Sequence, residues 1–244
     1  MRRFFVDGEY EIGGCVELKA ADSKHFAKVL RGNVGDEIQI VAGEQVFLAE
    51  VTEVRETVKA ELREQTAEYA EAPIDLYLLQ GIAKGERMDL IIQKAVELGA
   101  RAIVPVAFER CVVQLKGAKA ADKKKRWQKI AESAAKQCGR QRITEIMPVS
   151  SLSGALDLLP SGAKIIMPWE EAEGSTLKEV LTAGEPSANI AVIIGPEGGL
   201  TKSEVEAARA RGAEVVTLGK RILRTETAAI AVVTIIMYQW ADLG

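Results

Sequence analysis

Over the first seventy residues apolar positions recur with period two in short runs: Arg3–Val6, Cys15–Leu18, Glu37–Val41, Val46–Val54 and Thr57–Leu62. Glycines bound these runs (Gly8, Gly13, Gly14, Gly35 and Gly43), which predicts strands joined by tight turns. One stretch breaks the rhythm. Ser23–Leu30 predicts a helix, with Asp22 or Ser23 as its N-cap. Short strands at this spacing predict a small β-barrel over residues 1–72, and Glu64–Ala72 reads as a polar linker ending at Pro73.

Beyond Pro73 strands and helices alternate. Ile74–Gln80, Ala102–Val106, Ile143–Val149, Ala163–Met167, Ile190–Ile194 and Val215–Leu218 are apolar runs of strand length. Gly85–Leu98 predicts a helix with Met88, Ile91, Ile92, Ala95 and Val96 along its apolar side. A long basic helix runs from about Ala121 to Gln137 with Gly139 as its stop, and Leu177–Leu181, Ser203–Arg211 and Thr225–Trp240 supply three more. This alternation predicts an α/β domain over residues 73–244, built on a mostly parallel sheet.

Composition narrows the class. The chain has 244 residues, 48% apolar and 27% charged, long enough to bury a core without a disulfide or metal staple. Cys15, Cys111, Cys138 and the single histidine, His25, lie far apart, which argues against a zinc site and against a secreted disulfide framework. The most apolar stretch, Ala228–Met237, is too short for a bilayer, and the first residues lack the apolar core of a signal peptide. The expectation is a cytoplasmic protein with no membrane segment and no metal.

Charge is unevenly placed. The total is −3, but residues 1–72 hold 9 basic and 15 acidic side chains, whereas Arg110–Arg142 holds eleven basic residues against Asp122 and Glu132. A polyanion responds to that local field and not to the total.

Two segments carry candidate chemistry. In IAVIIGPEGGLTKSE (Ile190–Glu204) an apolar strand runs into Gly195, Pro196 fixes a turn, and Thr201 with Glu204 forms a capping box that opens a helix. In LGKRILRTETAAIAVV (Leu218–Val233) a strand ends at Leu218-Gly219, a short basic loop follows, and Thr225 or Thr227 caps the final helix. Ligands of open α/β sheets bind beyond the carboxyl ends of strands, where such loops expose bare backbone groups. A tight structural turn accounts for the first of these glycine runs equally well. Neither segment is a Rossmann or Walker motif, so the residues lead to an α/β enzyme with an unusual nucleoside site and a basic flank.

Together, IGPEGGLTKSE and LGKRILRTETA resemble the signature of the RsmE family, the 16S ribosomal RNA uracil-N3 methyltransferases of the SPOUT superfamily. HFAKVLRGNVGDEI (His25–Ile38), KGERMDLIIQKAVELGARAIVPV (Lys84–Val106), ERCVV (Glu109–Val113) and RWQKIAESAAKQCGRQRITEI (Arg126–Ile146) extend the resemblance along the chain. Cys138 and Thr144 depart from the residues common in relatives. The resemblance implies a SPOUT α/β domain with a deep trefoil knot, preceded by a PUA-like β-barrel. It implies S-adenosyl-L-methionine as cofactor, held by Gly195, Glu197, Gly199, Gly219, Arg224, Thr225 and Ala228, with apolar cover from Leu218, Ile222 and Leu223. Met167 and Pro168 would form a third wall.

The implied reaction methylates N3 of a uridine in 16S rRNA within the small ribosomal subunit. Since N3 is a poor nucleophile while it carries its proton, a positive group and a proton acceptor are needed. Arg224 or Arg110 is the candidate for the first, Glu197 for the second. RNA contacts are expected from the basic window and its flank, including Lys84, Arg126 and Arg140, and from Arg2, Arg3, His25 and Arg31 in the first domain. Trp127 is expected to pack on a neighbouring helix. The final helix is apolar nearly all round, and relatives pair through this region, so a homodimer is expected. The alternatives are a SPOUT methyltransferase acting on tRNA or a ribose 2′-hydroxyl, and a non-enzymatic ribosome-assembly factor.

Overall fold

The computed structural model describes residues 2–67 and 69–243. The chain forms two compact units, residues 1–71 with 135–142, and residues 72–134 with 143–244. The sequence reading placed 135–142 wholly with the second.

In the first unit β1 (Arg3–Val6), β2 (Cys15–Glu17), β3 (Glu37–Ala42), β4 (Gln45–Val54) and β5 (Val58–Thr66) form one sheet in the order β1-β3-β4-β5-β2. Only β1–β3 is parallel. Period-two alternation turns Val58, Ala60 and Leu62 inward beside Phe4, Phe26, Ile38, Ile40 and Phe47. The polar stretch after Leu62 is not all linker. Glu64, Gln65 and Thr66 continue β5 opposite Leu48, Phe47 and Val46, because a main-chain ladder needs no apolar side chain.

The helix read as Ser23–Leu30 is also different. It comprises α1 (Ala20–Lys24) and a π-helical turn, His25–Val29, and the side chain of Lys19 at its N-cap makes no capping bond. Ser23 is not a cap. Its buried hydroxyl donates to Leu18 O (3.0 Å) and accepts from Val58 N–H (3.0 Å), tying the helix to the sheet.

A buried ion pair closes this unit. The Arg140 and Glu71 side chains are 4% and 2% exposed, and Arg140 Nη2 lies 2.6 Å from Glu71 Oε2. Glu71 Oε1 also accepts the N–H groups of Gln141 (2.9 Å) and Arg142 (2.8 Å). Arg3 points inward too, donating to Gln39 Oε1 and to the Gly139 carbonyl.

The second unit comprises β6 (Asp75–Gly81), α2 (Glu86–Glu97), β7 (Ala102–Val106), α3 (Gly117–Cys138, whose end counts with the first unit), β8 (Glu145–Ile146) and α4 (Leu152–Asp157). Then follow β9 (Lys164–Pro168), α5 (Leu177–Ala183), β10 (Asn189–Ile194), α6 (Lys202–Arg209), β11 (Glu214–Val216) and α7 (Thr225–Trp240). The strands pair in parallel throughout, in the order β11-β9-β10-β6-β7-β8. Burial on both faces explains the unbroken apolar runs of β7 and β10.

β8 is much shorter than Ile143–Val149, since only Glu145 and Ile146 pair with β7. The Gln128 side chain holds it to α3 by donating to Thr144 O and accepting from Ile146 N–H. The short α4 escaped the sequence reading: it is six residues long and contains Gly154, a poor helix former. α3 starts earlier than Ala121 because Ala118, Lys119 and Ala120 favour helix, and it buries Trp127, Ala131, Ala134 and Ala135 along one face. α7 packs on α2 and β10, with Ile235 and Tyr238 left exposed.

Candidate cofactor pocket at the carboxyl ends of three strands

β11, β9 and β10 are parallel neighbours, so their carboxyl ends and the loops that follow share one end of the sheet. Those loops enclose a pocket of about 490 Å³, within the range of about 300–1,000 Å³ usual for small-molecule sites.

The loop after β10 is held from several sides. Thr201 and Glu204 form the expected capping box, and the other Glu204 oxygen takes the Glu109 N–H (2.8 Å). Beneath the loop lies Gly81, where a Cβ would come within 2.5 Å of Pro196 N, so only glycine permits this approach. Thr225 joins this loop to α7. Its hydroxyl donates to Gly195 O (2.7 Å) and accepts from Gln80 Nε2 (2.9 Å). Neither Thr225 nor Thr227 caps α7 as expected: the N-cap is Arg224 and it makes no side-chain bond, while Thr225 is the first helical residue.

The residues singled out from sequence fall as follows. Gly195, Glu197 and Gly199 line the pocket from the β10 loop; Leu218, Gly219, Ile222, Leu223 and Arg224 line it from the β11 loop; Thr225 and Ala228 line it from α7. Pro168 supplies the third side. Met167 does not line it, being fully buried in β9. Arg110 lies outside the lining, with its guanidinium 3.4 Å from Gly198 O and 3.5 Å from Leu200 O.

The lining side chains not anticipated include Arg87, Trp169, Glu170 and Glu226. Trp169 and Glu170 follow Pro168 directly, the one sequence signal that pointed to them. Arg87 Nη1 donates to Glu197 Oε1 (2.9 Å), and its Nε lies 3.7 Å from Glu226 Oε1. Glu197 Oε1 also accepts the Lys84 N–H (2.9 Å). Burial pushes the Glu197 carboxyl up, but hydrogen bonds from the Lys84 backbone, its own backbone and Arg87 outweigh it and hold the group below the usual range. A carboxylate so occupied is a weak proton acceptor.

The donor set fits S-adenosylmethionine. Pro168, Ile194, Leu218 and Leu223 offer apolar surface for a base, and carboxylates and guanidiniums stand ready for the charged groups of an amino acid. Two lining residues carry buried polar atoms with no partner among the described residues, Trp169 Nε1 and Glu226 Oε2. At Gly199, whose φ is +72°, a Cβ would stand 2.4 Å from Glu170 Oε1, inside the cradle.

The cations expected to meet RNA divide sharply. Arg2, His25 and Arg31 are exposed on the first unit, and Lys84 and Arg126 on the second, where Arg126 is paired with Asp89. Arg3 and Arg140 are corrected: both are buried and bound to groups of their own unit, so neither presents charge to a phosphate. Lys125 and Lys129 are exposed on the face of α3 opposite Trp127, and Lys119 is exposed near the start of the helix. Among the described residues no group of His, Cys, Asp and Glu is placed to hold a metal, and no helix is long and apolar enough to cross a membrane.

Comparison with known proteins agrees with this geometry. Residues 70–237 match a family described as RNA methyltransferase domain. Ribosomal RNA small subunit methyltransferase E of Bacillus subtilis is 34% identical, covering 98% of this chain and 97% of its own. Among solved structures, ribosomal RNA small subunit methyltransferase E of Neisseria gonorrhoeae bound to S-adenosyl methionine is 36% identical, with TM-score 0.90 and 100% of both chains covered. A Legionella pneumophila putative methyltransferase with bound SAM is 33% identical, with TM-score 0.88, covering 99% of this chain and 98% of that one. The chain belongs to the ribosomal RNA small subunit methyltransferase E family of RNA methyltransferases, the RsmE family.

Proposed function

We propose that this protein is the S-adenosylmethionine-dependent methyltransferase of N3 of a uridine in 16S rRNA, acting on the assembled small subunit. The observation that carries the reading is the pocket at the ends of β9, β10 and β11, set in a chain whose solved relatives hold this cofactor. When bound, the cofactor supplies a methyl group activated on a sulfonium. Gly195, Gly199 and Gly219 bring main chain close to its adenosine, Leu218 and Leu223 cover the base, and Arg224 at the rim holds positive field where the imide charge develops. N3 lies on the Watson–Crick edge, so the target base must be unpaired or extruded.

The finer architecture follows the same family reading. The five-stranded first unit serves as a PUA-like RNA-binding barrel, and the segment bearing β9 to α7 forms the trefoil knot; the Thr225–Gly195 bond between its last two loops supports that placement. Exposed Ile235 (42%) and Tyr238 (66%) on α7 support a homodimer joined along that helix. RNA is held by Lys119, Lys125 and Lys129 of α3, with Arg2, His25, Arg31, Lys84 and Arg126. Reversing the three α3 lysines to glutamate is expected to weaken binding to small subunits. The dependence of log affinity on log salt should become shallower by about one for each lost phosphate contact. An unchanged slope, read by filter binding, removes α3 from the interface.

The direct test incubates the protein with labelled S-adenosylmethionine and small subunits from cells lacking the modification, followed by nucleoside analysis. The expected product is 3-methyluridine. A 2′-O-methyl nucleoside, methylation of tRNA alone, or no product contradicts the proposal.

A further inference from the structure

Three carboxylates line the pocket, Glu170, Glu197 and Glu226, and their surroundings differ. Glu170 is exposed. Glu197 is occupied by the Lys84 N–H and Arg87. Glu226 stands apart: its side chain is 15% exposed, its Oε2 is buried with no hydrogen-bond partner among the described residues, and its Oε1 faces Arg87 Nε at 3.7 Å, beyond hydrogen-bond reach. Burial without a partner is unfavourable and needs a reason.

Its placement is fixed. Glu226 lies in the first turn of α7, next to Thr225, which is pinned to Gly195 O and Gln80. The other charged groups lining the pocket are Arg87 from α2, which faces Glu226, then Glu197, Glu170 in the β9 loop, and Lys220, Arg221 and Arg224 in the loop leading into α7. Arg87, shared between Glu197 and Glu226, keeps the second carboxylate in place without using up its acceptor capacity. The other unpartnered atom in the lining is a donor, Trp169 Nε1. One donor and one acceptor are the roles that an imide edge, carbonyl beside N–H, demands of a pocket.

We infer that the Glu226 carboxylate is the proton acceptor for the methylated imide nitrogen, in place of Glu197. The inference rests on the proposed N3 methylation. The proton passes from N3 to the Glu226 carboxylate, the freed N3 electron pair forms the bond to the methyl carbon, and the sulfur keeps the electrons of the bond that breaks. Protonated Glu226 then returns its proton to water.

The test compares wild type, Glu226→Gln, Glu226→Asp and Glu197→Gln in single-turnover methylation of small subunits across pH, with calorimetric titration of S-adenosylhomocysteine in parallel. Glu226→Gln is expected to slow turnover near neutral pH by about a hundredfold or more, a loss much larger than any change in affinity for S-adenosylhomocysteine. Its deficit should shrink as pH rises and the imide ionises unaided, a rescue that a merely structural role would not produce. Glu226→Asp keeps a carboxylate and should retain the wild-type pH profile at a lower rate, and Glu197→Gln should lose less than Glu226→Gln. A Glu226→Gln profile parallel to wild type at every pH, or a loss confined to S-adenosylhomocysteine affinity, overturns the inference while leaving the methyltransferase reading intact. Absence of 3-methyluridine with the wild-type protein overturns both.

Discussion

Replacing Glu71 by alanine is expected to destabilise the protein by about 3–5 kcal/mol, the usual effect of removing one member of a buried ion pair. The mechanism is specific. Arg140, 4% exposed at its side chain, would lose the Glu71 carboxylate from its buried site, and the N–H groups of Gln141 and Arg142 would lose that acceptor. Urea unfolding monitored by circular dichroism measures the loss. The pair as a whole contributes far less than either partner's removal costs, because both charges must be desolvated to form it. Joint replacement, Glu71→Leu with Arg140→Met, should therefore recover the part of the loss that comes from the stranded Arg140 charge, but not the part that comes from the Gln141 and Arg142 N–H groups. A single Glu71→Ala variant as stable as wild type would show that the pair is not buried in solution.

Gly81→Ala is expected to damage the pocket without altering any residue that lines it. The added methyl would fall 2.5 Å from Pro196 N and 2.9 Å from the Gly195 carbonyl carbon, which are main-chain atoms unable to swing aside. The loop must shift, taking Gly195, Glu197 and Gly199 with it. A displacement of about 1 Å near a reacting centre lowers catalytic efficiency by about a hundredfold, so kcat/KM for methyl transfer should fall by that order. The accompanying overpacking costs about 1–3 kcal/mol of stability. Wild-type kcat/KM in Gly81→Ala would mean that the loop is not braced from below.

How much of this was visible in the sequence depends on whether a feature is local. The β10 loop announces itself because a turn, a close approach and a helix start each demand particular residues, and Gly195, Gly199, Thr201 and Glu204 stand where those demands fall. α7 was legible to both ends, since its apolar run and its loop meet at Thr225. Arg87 and Glu226 were not legible as a pair: they lie 139 positions apart in the numbering and meet only because α2 and α7 pack together. Arg140 misled for the same reason. Its charge is plain in the basic window, but its partner Glu71 belongs to a distant segment, and pairing converts a presumed phosphate contact into a buried clasp. The extension of β5 through Glu64, Gln65 and Thr66 was hidden because the ladder that holds it is main chain, to which side-chain polarity is no guide.

Glu197 shows how environment bears on a role. Its residue type and position in the glycine loop made it the natural proton acceptor. The Lys84 N–H and Arg87 instead hold it as a bound carboxylate that fixes the loop to the start of α2.

The central claim, that the loops after β9, β10 and β11 form a cofactor pocket, is tested most directly by isothermal titration of S-adenosylhomocysteine into the purified protein. Saturable heat from a single class of site is expected, suppressed by prior addition of S-adenosylmethionine and weakened in Gly81→Ala. No saturable heat with either compound would contradict it.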